Sequence, residues 1–432
     1  MRRKRRESVI IPNTRALRPE ANFPHPILPP SRALHSDIRM IVLLPIVRAI
    51  PPGHFYQNIA TGIADALQEL GHTVQWFPLG EVGILTAPEA AAAVRWAHAG
   101  GGKLVIDLCC WGHAISQAQL AGGIEGRDAR PAYDVGEVSC VGFLLDQAYF
   151  QPIGSIHCRR LYAAISDPNI LEQIALISPS LQLAGSVFAP PAANLRNDRS
   201  VAWAERDIDL LYVGNLHLAA LQRQWSGGAD VALCDALADA ANADEPLHRT
   251  ALKVARALGR PPDAVQWGAL LRDIEFFLRA KSRLAAVLAA ARSGVDITVI
   301  GNGWDTIELP ANISVLPPTY YEDVLQLVGR SRICLDASSY PHGANDRIFN
   351  YALNRAVCLT NSRSWVERCF GPEQGMHFYQ SAETQTLTWQ IPELLARPQQ
   401  LQQQGEAARA VTLAGHTWRH RIEAVLGTIA PD

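Results

Sequence analysis

Three observations predict an α/β chain of two tandem, doubly wound (Rossmann-like) domains. Short, nearly continuous apolar runs alternate with helical patterns twice, over residues 37–191 and again over 208–414. A polar, turn-rich stretch at 192–207 separates the two alternations. The length, 432 residues, also exceeds what one hydrophobic core ordinarily serves.

The first domain opens with an apolar strand over 39–45. The loop Pro51-Pro52-Gly53-His54 follows, then a helix over 56–70 that Gly71 ends. A strand over 72–78, a helix over 87–99 and a strand over 103–108 continue the alternation. Strands over 138–145, 161–165 and 184–189 complete it. The second domain begins with the strand 208–213. From 217 to 293 the strand signal vanishes, and leucines at helical spacing (Leu233 and Leu237; Leu284 and Leu288) predict a helical insertion. Strands over 297–300, 313–316, 333–335 and 357–360 follow. Two helices close the chain, near 401–413 and 419–429. The last segment, 415–432, either finishes the second domain or crosses back to the first. Two such domains in tandem set their strand carboxyl ends around a central crevice, where open α/β sheets bind ligands.

Composition narrows the function. With 48% hydrophobic and 19% charged residues the chain is of globular type, and a net charge of −2 argues against a nucleic-acid partner. No apolar run reaches the ~20 residues of a membrane span. The eight cysteines are scattered without paired spacing, which suits buried thiols of a cytoplasmic protein better than a disulfide framework or a zinc site. Residues 1–36 differ in kind: a basic run, Arg2 to Arg6, leads into a proline-rich stretch without periodicity. It reads as a disordered tail, or as a weak electrostatic contact with an anionic lipid or partner.

The segment 332–360, RICLDASSYPHGANDRIFNYALNRAVCLT, carries the chemistry. It reads as a strand, a loop through Pro341-His342-Gly343-Ala344-Asn345, a helix from Asp346 and another strand. Gly343 would admit a backbone close to a ligand, and Asn345 or Asp346 would cap the helix. Free first-turn N–H groups and the helix dipole would then seat a phosphate. Ile348, Phe349, Ala352 and Leu353 form the apolar stripe, whereas Arg347, Asn350 and Asn354 share another face.

These residues resemble the donor-site half of GT-B glycosyltransferases, nearest the bacterial CgeB-like branch related to spore maturation. The runs Asp209-Leu210-Leu211-Tyr212-Val213-Gly214-Asn215 and Ile297-Thr298-Val299-Ile300-Gly301-Asn302-Gly303-Trp304 extend the likeness. The resemblance implies a glycosyltransferase that moves a sugar from a nucleotide-diphosphate donor to an acceptor such as a protein, peptide, glycan or small metabolite. Many retaining relatives carry two glutamates eight positions apart, where this chain has His342 and Asn350. The donor sugar and the stereochemistry therefore do not carry over.

The nucleotide is expected at Gly214, Asn215, Gly301, Asn302, Trp304, His342, Gly343, Ala344, Asn345, Asp346, Arg347 and Asn350. Trp304 reads equally as a core residue, and Tyr320 or Tyr321 would cover the base. Arg347, with His342 nearby, would meet the leaving diphosphate, since no Asp-x-Asp pair stands at a donor-site strand end to hold a metal. No cofactor is expected besides the nucleotide-sugar substrate. Asp146 and His54, at strand ends of the first domain, are the candidate bases, and Asp107 reads as structural. Two rivals keep the fold: a catalytically silent binder of nucleotide sugars or glycans, favoured by Asn350, and a nucleotide-sugar epimerase.

Overall fold

The computed structural model describes residues 40–48, 54–99, 101–118, 132–135, 137–226, 230–242, 244–261 and 265–429. The basic, proline-rich stretch 1–36 lies outside them. Among the described residues the strands form two six-stranded sheets, and all pairs are parallel. The first holds β1 (Ile41–Val47), β2 (Thr73–Leu79), β3 (Lys103–Leu108), β4 (Ser139–Leu144), β5 (Arg160–Ile165) and β6 (Gly185–Phe188), in the order β2-β1-β3-β4-β5-β6. The second holds β7 (Ile208–Val213), β8 (Ile297–Ile300), β9 (Ile313–Leu316), β10 (Ser331–Asp336), β11 (Val357–Asn361) and β12 (Met376–Tyr379), in the order β12-β11-β10-β7-β8-β9.

Every residue of β3 and β4 is buried, because helices cover both sheet faces. That is why these strands read as unbroken apolar runs. The strand order reverses between β1 and β3 and between β7 and β10, which opens a crevice beyond each pair of carboxyl ends. Several elements escape the sequence reading. β12 is a four-residue edge strand with His377 at its second position, too short and polar for a period-2 signal. The helix Leu387–Leu395 contains Pro392, a residue that argues against a helix interior. The helix Tyr321–Arg330 also forms.

Three features lock the halves together. The last helix, Trp418–Thr428, buries Trp418, Ile422 and Val425 in the first domain's core beside Ile59, Ile63 and Leu67. Inserted helices Val231–Ala240, Leu247–Ala257 and Trp267–Ala291 share a core with Tyr149, Phe150, Leu176 and Ile177 of the first domain. The turn-rich stretch between the sheets is tied down rather than loose. Buried Arg206 donates to the Asn354 carbonyl at 2.7 Å, and Asn197 donates to Asn350 at 2.8 Å. Asn197 also donates to Asn58 Oδ1 of the first domain at 2.9 Å, so the polar stretch hydrogen-bonds both domains.

Candidate functional site

A cleft of about 870 Å³ lies between the carboxyl ends of the two sheets. It falls within the range of small-molecule sites. His54, Phe55, Tyr56, Ile59, Leu145 and Asp146 form its first-domain wall; Gly214, Asn215, Arg279, Arg283, Asn302 and Arg347 stand on the other.

Asp336, the last residue of β10, organises the second wall from behind. It is fully buried and binds Arg347 Nη2 and Arg363 Nη2, each at 2.9 Å. Asn345 Nδ2 and Thr360 Oγ1 donate to it as well. Burial alone would raise its carboxyl pKa, but Arg347 and Arg363 outweigh burial and hold it below the ordinary value. Arg347 is thereby fixed, and its Nη1 donates to the Val213 carbonyl at 2.6 Å. Arg283 differs. Its Nη1 donates to the Asn215 carbonyl at 2.7 Å, and among the described residues no carboxylate pairs with it. Burial lowers its pKa, and the Arg347 and Arg279 charges add to that. A cation so placed gains by meeting an anion. His217 beside it is pushed down to about 4 by burial and by Arg283 and Arg279, so it stays neutral near pH 7.

The strand-end loops form as a pair. Gly301 has φ +145°, and a Cβ there would collide with the Gly214 carbonyl. Asn215 Oδ1 accepts the Asn302 N–H at 2.9 Å, joining the two loops at the cleft edge.

Five expected nucleotide contacts are corrected. Trp304 is fully buried, stacks edge-on against Tyr212 and donates Nε1 to the Gly214 carbonyl at 2.7 Å, so it belongs to the core. Gly343 approaches the other domain rather than a ligand, since a Cβ there would strike the Ser166 carbonyl. The loop amides before the helix are taken by a carboxylate: Asp167 Oδ2, just beyond β5, accepts the His342 N–H at 3.1 Å and the Gly343 N–H at 2.7 Å, while the first-turn N–H of Ile348 goes to Asn345. His342 turns its ring to Ser364, and Ala344 is buried in the core. Asn350 is committed to Asn197, the Tyr321 hydroxyl and the Asp346 carbonyl, away from the cleft.

Asn345, Asp346 and Arg347 do line the cleft. Asn345 caps the helix Asp346–Leu353 by accepting the Ile348 N–H. Asp346 accepts the Tyr321 hydroxyl at 3.3 Å, and burial raises its carboxyl pKa. Tyr320 is 67% exposed at the rim.

On the first wall, Asp146 follows β4 and faces the second domain, but its oxygens are engaged. Arg279 holds both, with Nη1 to Oδ2 at 3.1 Å and Nη2 on Oδ1. The Tyr340 hydroxyl at 3.1 Å and the Gln147 N–H at 2.8 Å also donate to Oδ1. Four donors leave this carboxylate little capacity as a base. His54 caps the helix Phe55–Glu69, accepting the Tyr56 N–H on Nδ1 at 3.4 Å. That contact puts the ring proton on Nε2, which makes the neutral imidazole a donor. Burial lowers its pKa.

Sequence reasoning missed Arg279, Arg283, Asp336 and Asp167. The first pair carried a signal: two arginines four apart share one face of a helix that leads into β8.

Among the described residues no group of three or more His, Cys, Asp and Glu side chains is placed to hold a metal ion, and no helix is long and apolar enough to cross a membrane. All eight cysteines are free thiols.

The architecture is similar to that of sucrose-phosphate synthase from Thermosynechococcus elongatus, with TM-score 0.51, 10% identity, and 90% of this chain and 97% of that one covered. A glycosyltransferase from Rickettsia africae ESF-5 gives 0.50, 10%, 90% and 97%. An alpha-glucosyltransferase in complex with UDP and a 13-mer DNA containing a HMU base gives 0.51, 8%, 90% and 99%. At such identities the likeness is one of fold. No curated protein matches the sequence. Residues 279–427 match the family model described as glycosyl transferase-like. The chain therefore has the α/β fold of GT-B glycosyltransferases, and its second half carries a glycosyl transferase-like segment.

Proposed function

We propose that the protein transfers a sugar from a nucleotide-diphosphate donor to an acceptor in the interdomain cleft. One observation carries the reading: Arg283 faces the cleft with no carboxylate partner among the described residues, beside Arg347 and the paired strand-end loops. Glycosyl transfer from such a donor releases a diphosphate, whose developing charge needs fixed cations. Arg283 and Arg347 supply them, with Asn215 and Asn302 at the edge of the same site. This replaces the seat at Gly343, which Asp167 fills. Tyr320, exposed at the rim, or Tyr321 would cover the base. Since arginines meet the charge, the reaction is read as independent of a divalent metal, and turnover should persist in excess chelator.

Asp146 is assigned to positioning: it holds Arg279 across the domain boundary. UDP is the natural first probe, because an alpha-glucosyltransferase of the same fold was solved with it. The likeness of residues 332–360 to the CgeB-like branch points the same way. Calorimetry with UDP and other nucleoside diphosphates, followed by turnover of a nucleotide-sugar panel, tests the proposal. Failure of every nucleoside diphosphate to bind sinks it. Binding without transfer to any acceptor would instead favour the silent-binder reading, which the engaged oxygens of Asp146 support. An isomerised donor would mark an epimerase.

A further inference from the structure

We infer that the acceptor is a neutral, planar aromatic hydroxyl compound, a phenol, seated against the first-domain wall of the cleft. The inference rests on the nucleotide-sugar reading above. Among the described residues that wall carries one charge, Asp146, which is bound in an ion pair to Arg279, itself also paired with buried Glu275. A charged acceptor would meet no counter-ion there.

The wall is an aromatic shelf. Ring centroids of Phe55 and Tyr56 lie 4.0 Å apart, and Tyr56 meets Trp111 edge-on at 4.4 Å. Phe55 reaches within 6.5 Å of Tyr321 on the opposite domain. Such rings take a flat apolar group by offset or edge stacking. A sugar would also lay its carbon face on them, but every hydroxyl it buries needs a partner. On this wall partners are scarce, the cleft's other hydroxyls and amides standing opposite. The Tyr56 hydroxyl is turned to Cys109, and Asp146 already accepts from four donors. His54 keeps one donor, Nε2–H, because Nδ1 caps its helix. One donor suits one hydroxyl.

The chemistry agrees. A phenol ionises near pKa ~10, so it becomes nucleophilic without the strong base this wall lacks. The phenolic oxygen gives its proton to water, held meanwhile by the His54 Nε2–H. It then bonds to the anomeric carbon as the bond from that carbon to the diphosphate oxygen breaks. The released electron pair leaves with the nucleoside diphosphate, towards Arg283 and Arg347.

Methylumbelliferone, a fluorescent planar phenol, tests this when titrated into the full chain with and without UDP, beside methyl glucoside and a short acidic peptide. Saturable binding of the phenol alone is expected. Phe55→Ala should weaken it about tenfold, the scale of a lost aromatic contact, and Phe55→Tyr should restore it. His54→Asn keeps a good helix cap and should weaken it several-fold. UDP affinity, measured separately, should hold in all three variants and so certify the fold. Saturation by the glucoside or the peptide but not the phenol would overturn the inference, as would an unchanged phenol affinity in Phe55→Ala. Lost phenol binding with UDP binding retained sinks this inference alone; absent UDP binding sinks the nucleotide reading.

Discussion

Asp107 and Asp336 stand at matching places in the two sheets, each near the carboxyl end of the strand flanking its domain's switch point, and their pKa values are shifted in opposite directions. Both are buried, with 1% and 0% of their surface exposed. Asp336 has two arginines and is held ionised below its ordinary pKa. Among the described residues no cation pairs with Asp107; burial pushes it up to about 7, against the N–H that Gly112 donates at 2.8 Å. A carboxylate behind one wall holds Arg347 at the cleft, while the other wall is largely aromatic, its Asp146 paired with Arg279. Two copies of one architecture thus give the cleft one charged side and one apolar side.

The largest effect should come from breaking the Asp336 hub. Arg347→Ala leaves a buried carboxylate with one cation fewer and should cost about 3–5 kcal/mol of stability in chemical denaturation. A folded variant of unchanged stability would show that Arg363 alone suffices.

The two carboxylates should also differ in pH dependence. For Asp107 the folded pKa of about 7 exceeds its ordinary 3.8, so the folded state binds more protons between those values. Its contribution to stability is therefore full below about pH 4 and is lost as pH rises to 7, on the order of a few kcal/mol. Asp336 has the opposite sign: its contribution is present above its ordinary value and is lost as pH falls through the folded one. Asp107→Asn should remove the first slope, so that its stability relative to wild type climbs between pH 4 and 7. A pH-independent difference would contradict the lone-carboxyl picture.

Arg283→Gln sharpens the contrast within the charged wall, because Arg283 lines the cleft and, among the described residues, no carboxylate pairs with it. Nucleoside diphosphate binding should weaken by about 1.5–3 kcal/mol, the range for hydrogen bonds to charged groups, with melting nearly unchanged. Equal affinity in calorimetry would move the diphosphate elsewhere.

The smallest effect is expected at Asp146. As a positioning residue it should give an Asp146→Asn variant that transfers to a phenol within about tenfold of wild type. A loss of ~10²–10⁴ would restore it as the general base.

Much of the architecture was legible in one dimension. β7, β8 and β9 match their apolar runs residue for residue; β7 and β8 lie inside the sheet, where burial leaves an uninterrupted signal, and β9 keeps a short apolar run at the edge. The lining of the cleft was legible in part. His54, Asp146, Gly214, Asn215, Gly301, Asn302, Asn345, Asp346 and Arg347 do converge on the cleft.

The sequence by itself determined the alternation of strands and helices, the glycine-bearing strand ends and the helix that carries Arg347. Those follow from local periodicity and capping, which act within a few residues. Only the tertiary structure decided what each polar group faces. Helical spacing places Arg347, Asn350 and Asn354 together, but packing turns Asn350 to Asn197 and Arg347 to Asp336. Likewise, the amides at His342 and Gly343 could seat any anion, and the neighbouring domain brings Asp167, 175 and 176 residues away in the chain. A hydrogen bond depends on distance and angle in space, and contacts over such separations leave no trace in local sequence.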